Sequence, residues 1–166
     1  MAVVVSDTSL LIHLSGLGHL ALLRALYQQV LIPPAVWRET VEEGRGRAGE
    51  VEVREAVRSG WVEVRPVANG PLVQLLKQGL DDGEAEAIVL ALEATADLVL
   101  LDETQAREKA VLMGLPLTGT IGVLIRAKRE GLVETLRPLL DQLRQESFWI
   151  SESLYRRALE AVGENN

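Results

Sequence analysis

A chain of 166 residues, 48% hydrophobic and 25% charged, has the size and composition of one globular domain, and no run approaches the ~18 uninterrupted apolar residues of a membrane helix. The absence of cysteine excludes disulfides, zinc–thiolate sites, iron–sulfur clusters and thiol nucleophiles, while the two histidines, His13 and His19, leave little for a histidine-ligated metal or a Ser-His-Asp triad. A net charge of −7 disfavours a nucleic-acid binder that works by bulk attraction, and 24 Asp plus Glu make carboxylate the plentiful chemistry.

Val3-Val4-Val5 opens the chain as a continuous apolar, β-branched run, the pattern of a strand buried on both faces. No basic region precedes it, so a secretory signal is not expected and a cytoplasmic location is. Val30-Leu31-Ile32, Val62-Glu63-Val64, Leu98-Val99-Leu100-Leu101 and Leu115-Pro116-Leu117 repeat the pattern, which predicts about five strands. Pro33-Pro34 starts a helix after the second of them. The glycine- and arginine-rich stretch 44–49 is linker-like but too short to divide domains. Helical spacing follows in Leu72, Leu75 and Leu76, in Ala85, Ile88, Val89 and Leu92, and in Val123, Leu124 and Ala127. Asp81-x-x-Glu84 and Asp102-x-x-Gln105 have the capping-box pattern, and Gly114 and Gly131 are natural stops. Strands alternating with helices predict an α/β fold with a parallel sheet covered on both faces, since parallel neighbours need crossover connections.

Residues 147–166 read as a C-terminal helical extension of a single domain spanning 1–166. A helix over Phe148 to Val162, capped by Ser151, repeats Leu154, Ala158 and Val162 along one stripe. That stripe, with Phe148, Trp149 and Tyr155 beside it, is expected to be buried on the domain's own core or on a partner, Trp149 included.

In an open parallel sheet, ligands bind in the crevice at the carboxyl ends of the strands, so residues that close a strand or open the next helix have the first claim to function. Asp7, Glu39, Glu84 and Asp102 hold such positions. Taken singly, each has a structural account: Asp7, Asp81 and Asp102 are good N-caps, Glu84 completes a capping box, and Glu39 is one acid among Glu39, Glu42 and Glu43. Taken together, carboxylates converging on one crevice repel one another unless a cation lies among them. Hard oxygen ligands without Cys or His point to Mg²⁺ or Mn²⁺, which suit phosphoryl chemistry.

Val-Val-Ser-Asp7-Thr-Ser-Leu-Leu, Leu-Ile-Pro-Pro-x-Val-Trp-x-Glu39, Leu-Asp-Asp-Gly-Glu84-Ala-Glu-Ala-Ile and Leu-Leu-Asp102-Glu-x-x-Ala-Arg107 together resemble a PIN domain, and the resemblance runs in order along essentially the whole chain. Gly119-Thr-Ile-Gly-Val-Leu, followed by Ala127-Lys128 and Gly131-Leu132, resembles a branch of PIN-like proteins described as predicted nucleic-acid-binding proteins. The resemblance implies an α/β/α sandwich, an acidic pocket for Mg²⁺ or Mn²⁺, and metal-dependent endoribonuclease activity. It also implies a toxin of VapC type held by a cognate antitoxin, and a homodimer. Carried over by residue, Asp7, Glu39 and Asp102 match three family acids, and Glu84 stands where the third is often Asp. Asp81, Asp82 and Glu103 are alternative or assisting ligands at that place. Thr8 and Ser9 would fix the Asp7 carboxylate. Arg107 would reach a substrate phosphate or form a surface ion pair, and Arg45 to Arg47 would either clamp a phosphate beside Glu39 or form a solvated loop. His13 and His19, beside apolar runs, read as core-edge or surface residues.

Two other functions compete. A phosphatase or phosphoacceptor domain would also place an Asp after its first strand, but Asp7-Thr8-Ser9 lacks a second Asp two residues on, and Gly119-Thr120 brings no lysine. A catalytically inactive PIN-like module that binds nucleic acid or protein has the same fold, and fold alone does not decide against it.

Overall fold

The computed structural model describes residues 1–146 and 148–164; residues 147, 165 and 166 of the C-terminal extension lie outside that description. The apolar runs form strands at Val4–Ser6 (β1), Val30–Ile32 (β2), Val62–Val64 (β3), Leu98–Leu100 (β4) and Leu117–Thr118 (β5). They pair in parallel as one sheet of order β3-β2-β1-β4-β5. Because successive strand residues point to opposite faces, a continuous apolar strand serves two cores at once. Val4, Ile32 and Leu100 enter one core and Val5, Leu31 and Val99 the other.

Among the described residues, ten α-helices form the outer layers. The first core is covered by Thr8–Gly16 (α1), Ala21–Tyr27 (α2), Glu50–Ser59 (α4), Thr120–Arg129 (α8), Arg137–Gln145 (α9) and Glu152–Ala161 (α10). The second is covered by Gly70–Leu76 (α5), Asp82–Glu93 (α6) and Thr104–Leu112 (α7). The short helix Pro34–Trp37 (α3) runs directly into a π-helical turn, Arg38–Glu42. The result is the α/β/α sandwich that the resemblance implies. Among the described residues, no single helix is long and apolar enough to cross a membrane.

The strand order sets the site. From β1 the chain builds outward through β2 and β3, then returns to the other side of β1 for β4 and β5, so the order reverses between β1 and β4. A crevice opens at the carboxyl ends of strands flanking such a switch point. Asp7 stays in register beyond β1 by donating its backbone N–H to Leu100 O at 3.1 Å.

Several expectations need correction. The fifth strand is Leu117–Thr118 rather than 115–117: Pro116 has no N–H to give the ladder, although its carbonyl accepts from Val99 N at 2.9 Å. Asp102 does not cap α7; that place falls to Glu103, which makes no side-chain cap bond. The final helix is capped by Ser151, whose Oγ accepts from Leu154 N at 3.0 Å, and Ile150, Ala158 and Leu159 bury it on the domain's own core. Trp149, expected inside, is 83% exposed.

Candidate active site

Asp7 leaves β1 and caps α1, its Oδ1 accepting from Leu10 N at 3.1 Å. The side chain is fully buried, and Oδ2 has no hydrogen-bond partner among the described residues. Burial, and then the Asp102 charge, push this carboxyl well above the usual carboxylate range. An unpartnered buried carboxylate oxygen is costly, and such groups mark strained or functional places.

Asp102 lies just beyond β4 and reaches across the crevice rather than along its own helix. Its Oδ1 accepts from Thr120 N at 2.7 Å and its Oδ2 from Thr120 Oγ1 at 2.6 Å, so it holds the start of α8 instead of α7. From α1, His13 Nδ1 lies 2.9 Å from Asp102 Oδ2. His13 was read from the sequence as a core-edge or surface residue, and only its helix face, one turn and a half after Asp7, hinted otherwise. Gly119 is required by close approach: a Cβ there would lie 2.7 Å from both Asp102 Oδ1 and Arg107 Nη1. Arg107 donates to Leu101 O at 3.1 Å and forms no ion pair among the described residues, so it covers the end of β4 rather than making a surface salt bridge.

Glu39 sits in the π-helical turn, an element often found at functional sites. Its Oε1 accepts from Thr8 Oγ1 at 2.5 Å and its Oε2 from Gly83 N at 3.2 Å. Thr8 therefore orients Glu39 rather than the expected Asp7, whose Oδ1 is occupied by the cap of α1. Burial raises the Glu39 pKa, and the Thr8 hydroxyl works against that shift. Gly83 is glycine for a steric reason, since a Cβ would run into Glu39 Oε1 and stand 2.8 Å from Thr8 Oγ1.

Glu84 and Asp81 form the expected capping box: Asp81 Oδ1 accepts from Glu84 N at 2.8 Å, and Glu84 Oε1 accepts from Asp81 N at 3.1 Å. Capping and burial coexist here, and burial is the main cause that pushes the Glu84 carboxyl up to about 7. Asp82 is not a free ligand, because Lys77 Nζ at 3.0 Å and Arg38 Nη2 at 2.9 Å neutralise it and hold its pKa down. Glu86 was passed over in the sequence. It accepts from Ala35 N at 3.0 Å and ties α6 to the start of α3, next to the Glu39–Gly83 bond.

A concavity of about 270 Å³ opens at the start of α6, lined by Ser9, Asp81, Glu84, Glu103, Thr104 and Gln105. Asp7 feels the charges of Asp102, Glu84 and Asp81, while Glu84 feels those of Asp81, Glu103 and Glu39, so the acids share one electrostatic neighbourhood. They do not form a ready-made cage: among the described residues, no three His, Asp or Glu side chains stand close enough to hold one ion. Glu39, Glu84 and Asp102 are each held by donors of the protein itself. The loop with Arg45 and Arg47 is exposed.

A five-stranded parallel sheet of this order between two helical layers, with buried acids at its switch point, is an α/β/α sandwich with an acidic crevice. The PIN-domain family profile matches residues 3–164, and the chain belongs to the PIN-domain family. No curated protein matches the chain.

Proposed function

We propose that the protein is a Mg²⁺- or Mn²⁺-dependent endoribonuclease whose ion is seated at Asp7, with Glu39, Glu84 and Asp102 as the further ligands once side-chain rotation from their internal donors brings them onto it. The observation that carries this reading is Asp7 Oδ2: fully buried, without a donor among the described residues, and near other acids whose charges raise its pKa. A hard divalent cation supplies what that oxygen lacks, and an all-oxygen donor set with no Cys fits Mg²⁺ or Mn²⁺. When bound, such an ion provides a water of lowered pKa and offsets charge developing on a scissile phosphate.

The chain's own residues do the rest. Asp7 offers an anionic oxygen from a rigid helix start; Thr8 and Gly83 N fix the Glu39 carboxylate; Thr120 and His13 fix that of Asp102. These donors act as orienting partners of ligands, a role generally worth 10–100-fold in metal affinity. Arg107, held at the end of β4, lies beside Asp102 where a phosphate would approach.

The proposal extends to partners. A homodimer and a cognate antitoxin protein follow from the family resemblance, and Val111 and Leu112 give a partner an apolar surface, 67% and 79% exposed on α7 beside the edge strand β5. A cytoplasmic setting belongs with an RNA substrate.

The test is cleavage of single-stranded RNA with Mn²⁺ by the protein and by Asp7→Asn, alongside calorimetry of Mn²⁺ binding. Cleavage and binding that are both lost in Asp7→Asn are the expected result. A second reading, a PIN-like module that binds nucleic acid or protein without catalysis, is favoured by the internal donors that occupy Glu39, Glu84 and Asp102. Absence of Mn²⁺ binding in calorimetry would decide for it.

A further inference from the structure

The segment between α9 and α10 places two rings, Phe148 and Trp149, near His13 of α1 and the acidic site. Ile150 is 6% exposed and anchors the segment in the core, and Phe148 packs edge-on against His13 with ring centroids 4.7 Å apart and planes at 84°. Arg144 holds the segment from α9 by donating to Ile150 O at 3.4 Å. Between these two anchored residues Trp149 is turned outward and 83% exposed. A large aromatic left in water between a half-buried Phe148 and a buried Ile150 is unusual unless something else covers it.

What it faces says what would cover it. Trp149, Phe148, His13, Asp102, Glu103 and Thr104 line a concavity of about 310 Å³ that adjoins the acidic one through Glu103 and Thr104. None of these six is Lys or Arg, and two are acids, so the wall repels phosphate. Its attractive surface is a neutral π-face, which suits the one uncharged planar part of a polynucleotide. Unstacked bases of single strands settle on aromatic rings in this manner.

We propose that Trp149, backed by the Phe148 and His13 rings, is a stacking subsite for a nucleobase flanking the cleaved linkage of single-stranded RNA. The proposal rests on the nuclease reading of the acidic site. It assigns Trp149 a binding role, and the substrate it selects is an unpaired base rather than a duplex.

The experiment uses the Asp7→Asn background, chosen because the proposed function expects no cleavage there, and titrates an oligoadenylate of about eight nucleotides, or an abasic oligomer of equal length, against tryptophan fluorescence. The base-bearing strand should quench the emission and the abasic one should not; W149A should weaken binding about tenfold, and W149F should restore most of it. In the protein with all carboxylates intact, W149A should raise KM for RNA by a similar factor with little change in kcat. Equal binding of both oligomers, or W149A with unchanged affinity, overturns the subsite. So does a change in mass by light scattering in W149A with unchanged oligonucleotide affinity, which would make Trp149 a protein interface. If no variant cleaves RNA while the base-dependent quenching persists, the nuclease reading fails and the stacking subsite stands.

Discussion

His13 Nδ1 lies 2.9 Å from Asp102 Oδ2, joining the first helix to the end of the fourth strand across 89 positions of sequence. Since a carboxylate only accepts, the imidazole carries its proton on Nδ1, and Asp102 is fixed by donors from two different helices. His13 is therefore a positioning residue. His13→Ala should lower Mn²⁺ affinity about tenfold by calorimetry while the fold stays intact, and His13→Asn, which can place an N–H near the same spot, should recover part of it. Unchanged affinity in His13→Ala would reduce the ring to a packing partner of Phe148.

Asp102→Asn keeps volume and an oxygen for Thr120 N but removes the charge. We expect RNA cleavage to fall at least about 100-fold, with circular dichroism unchanged. Asp81→Asn should matter much less, because Asp81 is exposed and its oxygen is occupied by Glu84 N. Full activity in Asp102→Asn, or a folded but inactive Asp81→Asn protein, would reassign the site.

The strands were legible because two-sided burial writes itself as continuous apolar runs, and Asp7 was legible because it follows one of them directly. Local pattern misled at Asp102: the capping-box spacing to Gln105 is present, but Thr120, on the neighbouring strand-to-helix turn, takes both carboxylate oxygens. Thr8 was assigned to the acid next to it in sequence, whereas the π-helical turn brings Glu39 within its reach. His13 was missed because its partner is remote in sequence, and Trp149 because an aromatic between Phe148 and Ile150 looks like core until the backbone turns it outward. Tertiary pairing of polar groups leaves no periodic trace in a sequence.

Metal and proton compete for the same acids. Asp7, Glu39 and Glu84 all have pKa values raised in the fold, so the folded chain binds more protons than the unfolded one at intermediate pH. Their contribution to stability is then fullest below the ordinary carboxylate range and falls as pH rises, for Glu84 through about 7. In EDTA the protein should melt higher at pH 5 than at pH 8. Mn²⁺ at 100 times its Kd should add about 2.7 kcal/mol at pH 8, or roughly 5–10 °C, and so shrink the difference. A flat pH profile in EDTA would contradict the buried-acid picture, and an equal Mn²⁺ shift in Asp7→Asn would move the ion elsewhere.

The C-terminal helix should be part of the folding unit. Removing everything after Glu146 strips Ile150, Ala158 and Leu159 from the first core, and an insoluble or molten product is expected. Ser151→Ala isolates the cap and should cost about 1 kcal/mol in urea unfolding. A truncated chain of full stability would mean that α10 is only laid on the surface.

Gly83 offers the sharpest test of the packing around Glu39. Alanine in the first turn of α6 should by propensity stabilise the helix by up to about 1 kcal/mol. Here the added Cβ would meet Glu39 Oε1 and press on Thr8 Oγ1, so the carboxylate would lose its donors from Thr8 and from Gly83 N. Gly83→Ala should therefore destabilise the protein by about 1–2 kcal/mol and depress RNA cleavage. If the clash with Glu39 is the cause, the sign must reverse when that side chain is absent: in a Glu39→Ala background, Gly83→Ala should become neutral or stabilising. A double-mutant cycle by urea denaturation measures the coupling, and simple additivity of the two changes would mean that Gly83 is glycine for some reason other than the acid it touches.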